Sequence, residues 1–195
     1  MTETHDPIAT FLAARARAQD AGEPWHATAT VLATADEQGQ PHARYVLVKE
    51  VEPDGLYFNT NYESTKAREL SANPRAALCF HFATIGEQYR VEGEVERASV
   101  ERSEAYFRSR PRESQLGAWA SDQSRPLGSR AELEARLSEV RSRFEGQQVP
   151  RPPHWGGYRL FPMVVERWVE GDARLHDRFR YTRQGEVWTQ ARLSP

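Results

Sequence analysis

Cysteine is nearly missing from this chain. Cys79 stands alone, so no disulfide can form within the chain, a usage that fits a reducing compartment. Its apolar neighbours Ala76, Ala77, Leu78 and Phe80 make it core filler rather than a reactive thiol. Long apolar runs are missing too, since no stretch approaches the ~20 residues that span a bilayer. The first residues, Met1 to Pro7, lack the basic and apolar regions of a signal peptide. The expectation is a cytoplasmic protein with no membrane attachment. Neither sign of charge dominates: 26 Lys and Arg stand against 28 Asp and Glu, for a net charge of −2. A general attraction to nucleic acid or anionic lipid is therefore excluded. There is no GxSxG elbow, Walker loop, GxGxxG after a strand, or CxxC. The six histidines show no HxxxH or HxH spacing, so a metal site has no support.

With 195 residues the chain can build one substantial domain. The expectation is a single domain over 1–195, with a helical arm over 1–24 and a helical insertion over 99–146. Asp6-Pro7 opens a helix that stops near Gly22. Residues 26–35 and 43–51 read as strands around a turn at 36–40, and Pro53-Asp54-Gly55 turns into a strand over 56–60. Ser64 caps a short helix that ends at Asn73-Pro74. Strands follow over 76–84 and 88–97. In the second, Tyr89, Val91 and Val95 alternate with Arg90, Glu92, Glu94 and Glu96. Ser99 caps a helix ending at Pro111, and 112–126 reads as a loop. Ser129 and Glu132 form a capping box for a helix whose apolar residues are Leu133, Leu137, Val140 and Phe144, with Gly146 at its end. A proline-rich connector over 149–153 leads to a long strand over 155–168, then a hairpin around Gln184-Gly185. About seven antiparallel strands with inserted helices (mainly β, α+β) point to a closed or nearly closed barrel.

Four places gather positive or hydrogen-bonding groups, and a fifth is denser still. Arg44 and Lys49 bracket a strand on nominally opposite faces, serving two neighbouring sites or merely covering apolar surface with their stems. Ser64 and Lys66 stand at a helix N-terminus, which favours a phosphate. Arg102, Tyr106 and Arg110, spaced by four, share a helical face with Ser114 close behind: a monoester phosphate clamp or a solvated face. Gln123 and Ser124 add an amide and a hydroxyl. Arg174-Leu175-His176-Asp177-Arg178 packs two arginines, a histidine and an aspartate into five residues beside Trp168. It is either a solvated turn or a set aimed at an anionic ligand. Many phosphate-type donors without a nucleophile or metal point to a bound cofactor that supplies the chemistry.

Taken in order, these motifs resemble the pyridoxine/pyridoxamine 5′-phosphate oxidase family. The resemblance is carried by Arg44-Tyr45-Val46-Leu47-Val48-Lys49, Asn59-Thr60-Asn61 with Ser64-Thr65-Lys66, the run from Tyr106 to Gln115 with Gly117-Ala118-Trp119, Gln123-Ser124, Trp155-Gly156-Gly157, and Arg174 to Arg178. It implies an antiparallel FMN-binding split β-barrel and a homodimer with FMN at the subunit interface. It further implies that Arg44, Lys66, Gln123 and Ser124 hold the FMN phosphate and ribityl chain, with Val46, Leu47, Asn59, Thr60 and Thr65 beside them. Gln88, Trp168 and Arg178 would line the flavin. Lys49, Tyr106, Arg110 and Ser114 would hold the substrate phosphate, and Arg174 and His176 would sit over the pyridine ring. The implied activity is oxidation of pyridoxamine or pyridoxine 5′-phosphate to pyridoxal 5′-phosphate with O₂ as acceptor. Departures from the family pattern are Thr65 for an arginine, Phe82 for a tryptophan, Arg167 and Val169 within a usual Glu-Phe-Trp-Gln, and a short N-terminus without an Arg-x-x-Tyr arm. Two other readings are an FMN oxidase of the phenazine-pathway type and a non-catalytic binding module for pyridoxal phosphate or flavin. The acidic strand face at Glu92, Glu94 and Glu96 argues against nucleic acid as a partner.

Overall fold

The structure is a computed structural model that describes residues 6–195. Residues 1–5 of the expected arm lie outside the described residues. Asp6 caps α1 (Pro7–Asp20), its Oδ1 accepting from the Ile8 amide at 2.8 Å, and Pro7 occupies the first turn, where its missing N–H does no harm. The strand expected from residue 26 starts later. Pro24–Ala27 form a single 3₁₀ turn and β1 spans Ala29–Ala35. Pro24 has no amide to give to a ladder, and Ala27 has φ 52°, in the left-handed region, so pairing cannot begin before it. Next come β2 (Pro41–Glu52), β3 (Gly55–Asn61), α2 (Thr65–Ala72), β4 (Arg75–Phe82) and β5 (Glu87–Arg97). They are followed by α3 (Val100–Ser109), α4 (Arg112–Ala120), α5 (Arg130–Arg143), β6 (Trp155–Val169), β7 (Asp177–Gln184) and β8 (Val187–Leu193).

Among the described residues the strands number eight rather than about seven. They lie in the order β3-β2-β1-β4-β5-β6-β7-β8, and an added β3–β6 pairing closes the first six into an antiparallel barrel. The β7–β8 hairpin, turned by Gly185 at φ 65°, extends the sheet beyond the closure. At the β5–β6 register shift, a Cβ on Gly93 would lie 1.9 Å from the Phe161 carbonyl oxygen, so only glycine permits that approach.

The barrel interior holds Leu32, Val48, Phe58, Leu78, Phe80, Tyr89, Val91 and Leu160, all fully buried. Helix α1 shuts one end: the Phe11 ring lies 4.8 Å from Phe80 and 5.3 Å from Tyr89. Helix α2 lies over the other end through Ala67 and Leu70, with Glu69 bonded to Thr34. A second small core, with Phe107, Leu116, Phe144, Val149 and Trp155, sits under the helices.

The loop expected over 112–126 is helical in its first nine residues, α4. Pro111 at its N-cap and Glu113 in its first turn are start signals, and Leu116 and Ala120 bury one stripe. Gly117 and the polar residues weaken the local signal, so the packing against α5 decides. In α5 the expected cap forms, Ser129 Oγ accepting from the Glu132 amide, while Glu132 reaches back to the Gly128 amide.

Arg167, one of the departures, has a local explanation. Glu87 is 3% exposed inside the barrel mouth under α1. It accepts from Arg167 at 3.0 and 3.2 Å, from Arg17 of α1 at 2.7 Å and from the Tyr89 hydroxyl at 2.9 Å. Burial alone would raise the Glu87 carboxyl, but the bonds from Arg167, Arg17 and Tyr89 hold it below the usual glutamate value. Arg167→Met removes the largest of these partners and should lower the urea unfolding free energy by about 1–3 kcal/mol at neutral pH. The ionised form contributes fully above its unfolded-state pKa, and that contribution is lost as pH falls through the folded value. The difference between R167M and the parent protein should therefore narrow below about pH 4.

Candidate functional site

A cleft of about 410 Å³ opens between β3, α3, α4 and the loop after α4. Among its walls are Leu47, Asn59, Thr60, Tyr106, Arg110, Ser114 and Gln123, seven of the residues singled out from the sequence. Trp155, at the start of β6, is the platform. Tyr106 stacks on it with ring centroids 6.1 Å apart and planes within 5°, and the Arg110 guanidinium lies 4.6 Å from its ring centre. Arg110 follows α3 in extended conformation. There Gln115 Nε2 donates to the carbonyls of Phe107, Arg108 and Arg110 and pins the turn. Arg110 Nη1 is buried with no hydrogen-bond partner among the described residues, and burial lowers its pKa. A buried guanidinium nitrogen without an acceptor is the kind of group that an incoming anion satisfies. Arg102 does not join this clamp, contrary to the helical-face expectation. Its guanidinium bonds Glu50 and Glu52 and lies 3.9 Å from the Tyr57 ring centre.

Lys66 supplies the second cation. Its side chain is 7% exposed, and Nζ donates to Thr60 Oγ1 at 3.1 Å, Ser64 Oγ at 3.2 Å and Gln123 Oε1 at 3.5 Å. All three acceptors are neutral. Desolvation, with repulsion from Arg44 added and Glu69 opposing, lowers the ammonium to about 8. Ser64 thus turns its hydroxyl to Lys66 instead of capping α2, whose first amides stay free of a side-chain cap. Arg44 is half-buried nearby but already engaged, donating to Glu69 Oε2 at 3.0 Å and to Thr34. Thr65 accepts from Arg68 at 3.1 Å. Ser124 stands in the exposed loop at φ 70°. Lys49 is exposed on the opposite face from Arg44, as alternation predicts. Val46 and Leu47 line a separate groove of about 700 Å³ on the outer face of the sheet, so Leu47 borders both spaces.

The remaining predicted residues form a second group. Gln88 pairs with Trp168 across β5–β6, and Trp168 pairs with Arg178 across β6–β7. His176 lies against Trp168, ring centroids 4.5 Å apart. The Gly171 amide donates to His176 Nδ1 at 3.2 Å, so a neutral ring carries its proton on Nε2. Ala173 and Arg174 hold φ 53° and 63° in a 3₁₀ turn, a left-handed pair that non-glycine residues rarely adopt. That turn leaves Arg174 exposed.

The two groups do not meet within one chain. Asn59 pairs with Gly157 at one end of β6, and Trp168 stands eleven residues further along. At ~3.3 Å per residue that is roughly 35 Å along the strand. The cleft is completed by Asn61, Gly117, Ala118, Ser121 and Trp155, to none of which the sequence assigned a site role. Trp155 had a signal in its position before Gly156-Gly157, but not one that specified a platform.

Comparison with known proteins bears on the same residues. Residues 21–144 match the family profile described as pyridoxamine 5′-phosphate oxidase, and 155–195 match the pyridoxine 5′-phosphate oxidase C-terminal dimerisation region. A protein of Anaeromyxobacter dehalogenans named pyridoxine/pyridoxamine 5′-phosphate oxidase is 56% identical over 190 residues, 97% of this chain and 96% of its own. One of the same name from Myxococcus xanthus is 49% identical over 192 residues, 97% of this chain and 92% of its own. Among solved structures, PhzG from Burkholderia lata, in complex with tetrahydrophenazine-1-carboxylic acid, has a TM-score of 0.89 at 29% identity, covering 100% of this chain and 97% of that one. A pyridoxamine 5′-phosphate oxidase-related, FMN binding protein of Nostoc punctiforme shares the fold, with a TM-score of 0.77 at 19% identity over 97% and 98% of the two chains.

The buried ammonium gives a pH test. A phosphate monoester that pairs with charged Lys66 should bind more weakly as pH rises through about 8. Calorimetric titration should show this decline, and Lys66→Met should remove it. In the free protein the sign is reversed. Between about 8 and 10.5 the unfolded chain keeps a proton that folded Lys66 has released, so this group's contribution to stability grows with pH there.

Proposed function

The chain belongs to the pyridoxine/pyridoxamine 5′-phosphate oxidase family, and from that premise we propose that it is an FMN-dependent oxidase. Its substrate is pyridoxamine or pyridoxine 5′-phosphate, its product pyridoxal 5′-phosphate, its electron acceptor O₂, and its working form a homodimer. The observation that carries the reading is the pair of buried cations, Lys66 and Arg110, that have no carboxylate in hydrogen-bonding contact among the described residues and are linked to one cleft. Arg110 has a buried nitrogen without an acceptor, and Lys66 is ringed by neutral oxygens, with Gln123 reaching both the cleft and the ammonium.

That donor set fits FMN. Lys66, Thr60, Gln123 and the uncapped start of α2 suit a phosphate, and Asn59 and Ser124 flank the path of a polyol chain. Leu47, shared by the cleft and the outer groove, offers an apolar edge for a flat ring. The chemistry that FMN would supply in this site is two-electron oxidation of the substrate's 4′ carbon, with O₂ as the final acceptor. The chain's own residues supply placement. Tyr106, Arg110 and Ser114, with Lys49 from the neighbouring strand, anchor the substrate phosphate and hold the pyridine in one orientation. His176, with its proton on Nε2, and Arg174 present donors to the oxygen or nitrogen on the 4′ carbon. Trp168 fixes the imidazole plane and helps exclude water. Since the Trp168 group lies at the far end of β6 from the phosphate cleft, a second copy of the chain completes each site. The match of 155–195 to a dimerisation region supports that arrangement.

The phenazine-type alternative is favoured by the close superposition on PhzG. It is disfavoured by the grouping of Tyr106, Arg110 and Ser114 in the cleft, which a substrate without phosphate does not require.

Purified protein should be yellow, and anaerobic pyridoxamine 5′-phosphate should bleach the flavin band. A colourless protein, or a band indifferent to that substrate, overturns the assignment. Arg110→Ala should raise KM for pyridoxine 5′-phosphate by about 10- to 100-fold, the weight of a hydrogen bond to a charged group. Unphosphorylated pyridoxine, turned over poorly by both proteins, should show no such change. Arg174→Ala should lower kcat while flavin content stays at the parent level, and equal turnover would remove the residue from the reaction.

A further inference from the structure

Glu166 occupies a position that neither the motif reading nor the reaction scheme uses. It stands on the outer face of β6, one alternation from Trp168, opposite Arg90 on β5 and Arg180 on β7. A carboxylate on an outer sheet face normally meets water, yet Glu166 is 5% exposed. Two guanidinium groups cover it. Oε1 accepts from Arg178 Nε at 3.0 Å and Nη2 at 2.8 Å, and Oε2 accepts from Arg90 Nη2 at 2.9 Å. Arg178 Nη1 donates in addition to the Ser194 carbonyl at 3.0 Å.

Counting hydrogens shows what this does to Arg178. A guanidinium has five N–H groups in one plane. Three are taken, one each on Nε, Nη1 and Nη2, so one remains on each terminal nitrogen. Both lie off the Nε–Nη2 edge that the carboxylate occupies. A ring edge carrying acceptor atoms matches that pair of donors. Without the carboxylate the same side chain would sample many rotamers and present the pair in no fixed direction. We propose that Glu166 is a positioning residue that acts through Arg178, fixing its guanidinium for the acceptor-bearing edge of the flavin. The inference rests on the proposed FMN dependence and on the flavin-lining role that the family resemblance implies for Arg178. Arg90 is the counterweight: it occupies the other carboxylate oxygen, is itself held by Glu92 at 2.7 Å, and stops Glu166 from rotating away.

The test is FMN affinity of the apoprotein, read by quenching of flavin fluorescence, with thermal midpoints recorded for each variant. Arg178→Ala should weaken FMN by about 10- to 100-fold, and Glu166→Gln, which keeps the side-chain volume, by about tenfold. The double variant should be no weaker than Arg178→Ala alone, since a residue acting only through Arg178 has nothing left to act on. Arg90→Leu breaks the other ion pair on the same carboxylate and should change affinity by less than about threefold. A merely structural role predicts additive losses and an equal penalty for Arg90→Leu, and either result overturns the proposal. An unaffected Glu166→Gln beside a weakened Arg178→Ala overturns it alone. An unaffected Arg178→Ala removes the flavin-lining role itself, and the inference with it. Should Glu166→Gln fail to fold, Glu166→Asp retains the charge but shortens the reach. It should show the same dependence on Arg178, and parental affinity in that variant counts against the proposal.

Discussion

The simultaneous pairing of β6 with three other strands is the constraint on which the rest of the molecule hangs. Trp155 to Leu160 close the barrel against β3, Tyr158 to Val169 lie against β5, and Val164 to Val169 carry β7. Over 158–160 and 164–169 the strand has a neighbour on each side, which commits its backbone groups there and fixes its register. One consequence is at its start, where Trp155 is held beneath Tyr106 and Arg110. Another is at its end, where Trp168 is held between Gln88 and Arg178. The bulge at Glu92 and Gly93, against the Phe161 carbonyl, is where the strand accommodates the difference between barrel curvature and a flatter sheet.

The second organising fact is how the molecule divides its cations. Arg17 and Arg167 share Glu87, Arg44 leans on Glu69, Arg102 on Glu50 and Glu52, and Arg90 and Arg178 on Glu166. Each of these pairs or forks is internally neutralised to a large degree, and its geometry belongs to the fold. Lys66 and Arg110 are different. Both are desolvated, yet among the described residues neither has a carboxylate in hydrogen-bonding contact. Burying a cation with only neutral dipoles around it is unfavourable in isolation, which is why these two lose protons more readily than free side chains. A dianionic phosphoryl group removes that penalty, so the places where the fold is least comfortable electrostatically are the places suited to a ligand.

Local chemistry made much of the fold readable. Asp6 and Ser129 are true caps, Gly185 is the hairpin turn, and the alternation in β5 gives the buried face formed by Tyr89, Val91 and Val95. What stayed hidden depended on distant partners. Helix α4 is built from residues of mixed preference, and only the surface offered by α5 and Phe144 tips it into order. Arg102 shows the limit of spacing as an argument: its partners come from β2, some fifty residues earlier, and consume its charge. Arg167 looked like an intrusion into an apolar motif until Glu87 and Arg17 appeared beside it. That Tyr106, Arg110 and Ser114 gather in one place was legible because they lie close together in the chain. Trp155, on which two of them rest, was quoted in the motif without its role being visible, since it arrives from forty-five residues further on.

Ala173 and Arg174 have a bearing on how the protein would meet its ligands. Two adjacent residues in the left-handed basin are unfavourable on their own, so the turn exists only because Gly171, Leu175 and the flanking strands hold it. That strain is settled when the chain folds, before any ligand arrives. Docking at this corner then needs little further ordering, and the entropy loss that weakens recognition by floppy loops is small here. Mutations around Gly171 should accordingly surface as poor folding yield sooner than as weakened recognition, because the rigidity that benefits the guest is maintained by the host.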